Sequence, residues 1–134
     1  MPIFDFNLIR KRGALIKGFG GISSGSESLK ELLDSVDNIL EPIIGNNITV
    51  SAIVDIMNLI ARCVVSGNVR RSATLALGNI EDDEYINLKD PDINQKELIH
   101  HRWASNNSVY GYVGKTDYSR ISENIIKNGE PGII

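Results

Sequence analysis

SGNVRRSATLALG, residues 66–78, is where the spacing of apolar residues changes and with it the fold class. Gly67 and Asn68 are the residue types that most readily take positive φ, and Arg70 and Arg71 follow at once, so the stretch reads as a basic turn. Ala73 to Leu77 is then a short apolar run that fits a buried strand, although its length alone leaves a helix open. Upstream, Thr49 is placed to cap a helix in which Ile53, Ile56, Met57, Ile60 and Val64 form one apolar face, with Asp55 and Arg62 away from it. Before that, Ser24 and Glu27 have capping-box spacing. Leu29, Leu32, Leu33, Val36, Ile39 and Leu40 recur at helical period until Pro42 and Gly45. Two amphipathic helices joined by IIGNNIT, residues 43–49, predict a helical hairpin that ends in a turn and a strand.

Downstream, the acidic stretch EDDEYINLKDPD, residues 81–92, predicts a short helix that stops before Pro91, with another helix over 92–101. WASNNSVYGYV, residues 103–113, has the β-branched and aromatic content of a strand around a polar centre. Asp117 is expected to cap a last helix through Lys127, closed by Asn128-Gly129 with Pro131 beyond. The chain ends on PGII without a polar tail, which points to a longer parent sequence.

The 134 residues carry 42% hydrophobic and 23% charged side chains, the composition of a globular domain. A net charge of −3 gives no global positive field for DNA, RNA or an anionic membrane, so any anion site is local. Cys63 is the only cysteine, which excludes an internal disulfide framework and a redox-active pair within the sequence, and suits a reducing compartment. The opening MPIFDFNLIRKRG has neither the apolar core of a secretory signal nor the length of a membrane span, so a cytoplasmic location is expected. The sequons at Asn47 and Asn106 then carry no meaning.

Chemistry is expected at two basic places. RKRGALIKGFGGISSG, residues 10–25, has the composition of a mobile loop; it presents Arg10, Lys11, Arg12 and Lys17 among Gly18, Gly20 and Gly21 just before a helix start, where backbone N–H groups favour an anion. A solvated basic loop is the plain alternative. In Ser66 to Ser72 the two guanidiniums can hydrogen-bond phosphate or stack on a base, or can serve as ion-pair partners for the acidic stretch. The polar centre Ser105-Asn106-Asn107-Ser108 either lines a site or bonds neighbouring backbone. His100 and His101 point about 100° apart on a helix, with no Cys or HExxH spacing nearby, so no metal site is expected. Cys63 reads as a small buried hydrophobe.

Taken in order, GFGGISSG (18–25), VVSGNVRRSATLALG (64–78), HHRWASNNSV (100–109) and NGEPGI (128–133) resemble consecutive signatures of the adenosylcobalamin-dependent, class II ribonucleotide reductases, in particular the monomeric ribonucleoside-triphosphate reductase branch. The resemblance covers nearly the whole sequence and implies an internal piece of such an enzyme. It implies an α/β fold that is part of a ten-stranded α/β barrel, with a helical hairpin and effector loops. Residues 1–66 would form the effector-loop and hairpin segment, and 67–134 the specificity loop and partial barrel. It implies reduction of ribonucleoside triphosphates with thioredoxin or a dithiol as reductant. The catalytic cysteines and the adenosylcobalamin-binding region belong to the missing reductase segments, and no catalytic residue is carried over here. What is carried over is specificity control. Arg12, Lys17, Gly18, Gly20 and Gly21 resemble the loop that holds the triphosphate of a deoxynucleoside triphosphate effector. Ser66, Gly67, Asn68, Arg70, Arg71 and Ser72 resemble the loop that reads the effector base toward the substrate base, with Asn106 and Asn107 on a candidate substrate-side strand. The competing readings are a free-standing deoxynucleotide-binding regulatory module and an inactive remnant. Supplied alone with substrate, adenosylcobalamin and dithiol, the chain is expected to give no turnover in a product assay; turnover would overturn the reading of an internal piece.

Overall fold

The computed structural model describes residues 2–18, 20–67 and 70–134. Helix α1 spans Glu27–Leu40 and is followed by a 3-10 turn over Glu41–Ile43, where Pro42 cannot continue an α-helix. Helix α2 spans Val50–Val65, and the Thr49 side chain accepts from the Ala52 amide at its first turn, as its sequence predicts. The two helices pack on each other as the expected hairpin. The capping box does not form: Ser26, not Ser24, precedes the first turn of α1, and its side chain makes no capping bond.

Strand β1, Thr74–Gly78, confirms the strand reading of the ATLAL run. The chain then crosses through α3 (Asp83–Ile86), α4 (Pro91–His100) and a 3-10 turn (Arg102–Ala104) to β2, Ser105–Val109. It crosses again through α5, Ser119–Asn128, to β3, Gly132–Ile133. The sheet order is β1-β2-β3 and both pairings are parallel, with Thr74 opposite Ser105, Leu75 opposite Asn106, and Ser108 opposite Gly132. Two overlapping βαβ units of this kind make an α/β fold. The described residues contain three strands.

The helices lie on one face of that sheet. Val54 of α2, Ile80, Tyr85 and Ile86 around α3, Leu88, Val109 of β2 and Ile121 of α5 form the core, with Val50, Ala76 and Ile125 packed against it. Because alternate strand residues point to opposite faces, Ala76 and Val109 look toward the helices while Leu75, Leu77 and Asn106 look the other way. Leu75 is 55% exposed, so this second face is open.

Several sequence expectations are corrected. The apolar stripe of α2 does not face the core: Ile53 and Met57 are about half exposed, and Val54, Asp55, Asn58 and Leu59 are turned inward instead. The reason is a charge pair described below, which fixes the rotation of the helix. Helix α4 starts at Pro91, with Asp90 capping the Asp92 amide, because a proline is well tolerated in the first helical turn. Strand β2 is shorter than residues 103–113, since residues 102–104 form a turn. Asp117 binds the Ser119 amide and hydroxyl and does not cap α5, whose N-cap residue is Tyr118. Gly129 closes α5 at φ 81° as expected, and the apolar end of the chain supplies β3.

Tyr85 ties the sheet to the helical layer. Its hydroxyl lies 2.7 Å from the Ala76 carbonyl and 3.0 Å from the Ser108 carbonyl, so one donor serves two adjacent strands. Burial pushes this hydroxyl up to about 12, which keeps it a donor. The ring lies flat on Gly78, where an added Cβ would sit 2.3 Å from ring carbons. Gly78→Ala is therefore expected to cost about 1–3 kcal/mol by overpacking, and a denaturant melt indistinguishable from wild type would refute the contact.

Candidate functional site

An antiparallel hairpin brings the segment before its first helix and the segment after its second to the same end. Here these segments are the two basic stretches. Within the stretch read as a loop, residues 13–16 pair with 21–23 as a small hairpin. Gly13 N donates to Ser23 O, Ser23 N to Ala14 O and Ile16 N to Gly21 O, each at 2.9 Å, and Leu15 bridges Ile22 antiparallel. Its tip turns through Gly18 and Gly20 at φ 103° and 62°, backbone that only glycine enters cheaply. Against this hairpin sits the turn after α2. An added Cβ on Gly67 would lie 3.8 Å from the Ile22 carbonyl and from Ser24, and Ser66 Oγ bonds Ser28 Oγ at 3.0 Å. Between them opens a cleft of about 330 Å³ lined by Ile16, Ile22, Ser24, Cys63, Gly67 and Arg70 among others. That volume suits part of a small ligand.

Of the expected site residues, Ser66, Gly67 and Arg70 line the cleft, whereas Arg12, Lys17, Gly18, Gly20 and Gly21 do not, although they lie on or beside the hairpin whose Ile16, Ile22, Ser23 and Ser24 form the other wall. Arg12, Lys17, Gly18 and Gly20 are exposed on the hairpin, Gly21 is half-buried in its ladder, and Ser66, Arg70, Arg71 and Ser72 are exposed on the turn. Asn68 lies outside the described residues. Gly67 makes its part of the bend without left-handed backbone. Cys63 is half-buried at the cleft wall and not a fully buried hydrophobe. The two asparagines of β2 separate. Asn106 is exposed on the open face, whereas Asn107 points to the helical side, where its Oδ1 accepts from Ser105 Oγ at 2.9 Å. Leu75 is opposite Asn106, so the turn that feeds β1 ends a few residues from Asn106.

The sequence is 50% identical over 132 residues, 98% of the chain, to a probable adenosylcobalamin-dependent ribonucleoside-triphosphate reductase of Dictyostelium discoideum. It is 46% identical, again over 98% of the chain, to the adenosylcobalamin-dependent ribonucleoside-triphosphate reductase of Lactobacillus leichmannii. The crystal structure of a B12-dependent class II ribonucleotide reductase superposes on 93% of the chain with a TM-score of 0.80 at 42% identity. The chain belongs to the adenosylcobalamin-dependent ribonucleotide reductases. It spans 17% of the length of the Dictyostelium relative and 18% of that of the Lactobacillus one. No protein-family model matches it.

In this reductase segment the hairpin end that carries the cleft is braced by a polar chain that the sequence reading missed. Arg62 of α2 donates to Glu31 of α1 at 2.7 Å and reaches His100 Nε2 at 2.8 Å. Arginine has only donors, so His100 Nε2 accepts and its proton sits on Nδ1, 3.0 Å from His101 Nδ1. His101 then carries its proton on Nε2, 2.9 Å from Asp55 Oδ1 but off the line of a well-angled hydrogen bond, so the contact is chiefly electrostatic. Asp55 in turn takes Arg102 Nε at 2.6 Å and a second guanidinium N–H at 2.8 Å, the bidentate pairing of a carboxylate with arginine. The third arm of Arg102 donates to the Leu88 carbonyl at 2.6 Å. Burial pushes the Asp55 carboxyl up, and Arg102 followed by His101 more than reverses this, holding it below its ordinary 3.8. Burial, then the charge of Arg62, lower His100. His100, His101 and Arg102 are consecutive, but their partners Arg62 and Asp55 lie 38 and 47 residues away, so no local pattern marked the network. Among the described residues, no three His, Cys, Asp or Glu side chains converge as a metal would require, and no helix is long and apolar enough to cross a membrane.

Both shifted groups make the reductase segment less stable in acid. Asp55 is held ionised more firmly when folded, so its contribution is complete above 3.8 and is lost as pH falls through the lowered value. His100 is held neutral when folded, so below its ordinary 6.5 the unfolded chain takes up more protons and stability falls. Melts taken from about pH 7.5 to about pH 5 should show a decline that flattens in His100→Gln; an unchanged slope would refute the bracing chain. Asp55→Ala should cost about 3–5 kcal/mol, because it strands a buried guanidinium, as read by urea unfolding.

Proposed function

We propose that the cleft between the 13–23 hairpin and the 66–72 turn is the specificity device of a class II ribonucleotide reductase. The observation that carries this reading is the meeting of the two basic stretches at one end of a helical hairpin, in a segment half identical to such an enzyme. Arg12 and Lys17, with backbone N–H groups around Gly18, Gly20 and Gly21, hold the triphosphate of a deoxynucleoside triphosphate effector. Ser66 to Ser72 reads the effector base, and Arg70, with Arg71 next, passes that reading to the base or phosphate of a ribonucleoside triphosphate substrate. Asn106 stands on the substrate side, on the open sheet face that further strands of a ten-stranded barrel would enclose. The exposed stripe Ile53, Met57, Ile60 and Val64 of α2 is apolar surface for those remaining parts of the reductase.

Adenosylcobalamin supplies the radical that starts ribonucleotide reduction, and thioredoxin or a dithiol restores the reduced enzyme, in the cytoplasm. The residues in hand do not fit the cofactor. The cleft of about 540 Å³ between α1, α2 and α4, lined by Asp55, Lys96, Glu97 and His100 beside Ser35, Ile39 and Leu59, is too small for a corrin with its nucleotide tail. In this reading cobalamin is held by other parts of the reductase, and these residues contribute effector binding and the orientation of the substrate base.

The test is Arg70→Ala in a full-length reductase carrying this segment. The effector-dependent preference between substrates should fall by on the order of tenfold, within the usual range of coupling between sites, and by more than the unstimulated rate. An unchanged preference pattern refutes the assignment. Tight binding of deoxynucleoside triphosphates by the 134-residue chain alone, seen by calorimetry, would instead favour a free-standing regulatory module.

A further inference from the structure

Strand β2 has an edge problem on the side of β3. Its odd-numbered residues turn their N–H and C=O groups that way, as shown by the Val109 carbonyl, which accepts from Ile134 N at 3.0 Å. Strand β3, however, pairs only with Ser108 and Val109. The next groups along the same edge are the Asn107 N–H and the Ser105 carbonyl, and both residues are buried. Left unpaired, each would carry the full cost of a desolvated peptide group.

Two side chains take the place of the missing strand. Glu130 Oε2 accepts the Asn107 N–H at 2.9 Å, and the Lys89 ammonium donates to the Ser105 carbonyl. The two bind each other, with Lys89 Nζ 2.8 Å from Glu130 Oε2, and Lys89 is almost fully buried. Glu130 stands one residue past the turn at Gly129. Lys89 is held by α5, where the Asn128 side chain donates to its carbonyl and Asn124 donates to the Ile86 carbonyl at 2.8 Å. The bonded groups are the carbonyl before Asn106 and the amide after it. Together they fix the two peptide planes on either side of one exposed side chain. Asn107 is not the residue so presented, because it is buried and points to the helical side, where its Oδ1 accepts from Ser105 Oγ.

We propose that Lys89 and Glu130 are positioning residues that substitute for strand backbone along β2 and so aim Asn106 across the open sheet face toward the substrate. The proposal rests on the reading of that face as the substrate side. A buried lysine with a single carboxylate partner is a costly way to satisfy two peptide groups that one more turn of strand would satisfy. Backbone at that place would, however, lay another strand beside Asn106 and narrow the open face. The side-chain pair closes the hydrogen bonds from the helical side and leaves the face free.

The test uses a full-length reductase carrying this segment, with Glu130→Gln, Asn106→Ala and the double variant. Glu130→Gln should raise KM for the ribonucleotide by on the order of tenfold with kcat changed far less, the pattern of lost substrate binding. The double variant should be no worse than Asn106→Ala. An equal further rise of KM in the Asn106→Ala background, or a rise in Asn106→Ala with none in Glu130→Gln, overturns the proposal. Hydrogen exchange of the peptide covering residues 104–109 separates the proposal from the reading beneath it. Exchange there should quicken in Glu130→Gln; unchanged exchange overturns the strand-substitute role whatever Asn106 does. Unchanged KM in Asn106→Ala, with faster exchange in Glu130→Gln, overturns the substrate-side reading alone. Should Glu130→Gln fail to fold, Glu130→Asp keeps the charge one methylene short, and the same KM and exchange readouts decide.

Discussion

The buried pair of Asp55 and Arg102 is the constraint on which the arrangement depends. A carboxylate on the inward side of α2 and a guanidinium at the entrance to β2 are each expensive to bury alone; they satisfy each other bidentately, with His101 beside the carboxylate and the Leu88 carbonyl accepting from the guanidinium. Such a pair adds modestly to stability when compared with an apolar replacement. Any rotation of α2 that separates the partners leaves two charges stranded. That asymmetry selects one rotation of the helix over the sheet, with Val54 and Leu59 inward, and it turns the larger apolar stripe outward.

From that fixed helix the rest follows in sequence. The end of α2 sets where the 66–72 turn leaves the hairpin, and β1 begins immediately after it. The partner helix α1 is held at the same end by Glu31 with Arg62 and by Ser28 with Ser66, so the 13–23 hairpin has one place to dock. The two loops thus share a cleft because the helices between them are antiparallel and pinned, with no contribution from the sheet. Strand β2 is aligned from the opposite side, by Tyr85 through its backbone and by Lys89 and Glu130 along its edge.

The order of the elements was legible in the sequence because it rests on local signals: the Thr49 cap, the proline and glycine stops, and the apolar runs. The rotation of α2 was not, because apolar periodicity assigns the richest stripe to the core and cannot register that Asp55 finds its buried partner, Arg102, 47 residues away. Strand β3 escaped notice since two residues carry no period. The two basic stretches could be singled out by composition, but the residue pattern left each with a solvated alternative, and only their shared end of the hairpin joins them. Glu130 stood within the NGEPGI signature without any role being legible, and Lys89 was one charge in an acidic stretch, because their partners are peptide groups in another element.

The antiparallel pairing of α1 and α2 has a consequence for how strongly a small molecule can act at the cleft. Some forty residues separate the 13–23 hairpin from the turn after α2, and in an open chain of that length bringing them together would carry a closure entropy growing with the logarithm of the separation. Folding of the helices settles that entropy once. A molecule seated between the loops therefore spends little of its binding energy on assembling its own site, and more is left to distinguish one occupant from another. The rigid part of this segment thus contributes discrimination, although none of its helical residues needs to touch what is being discriminated.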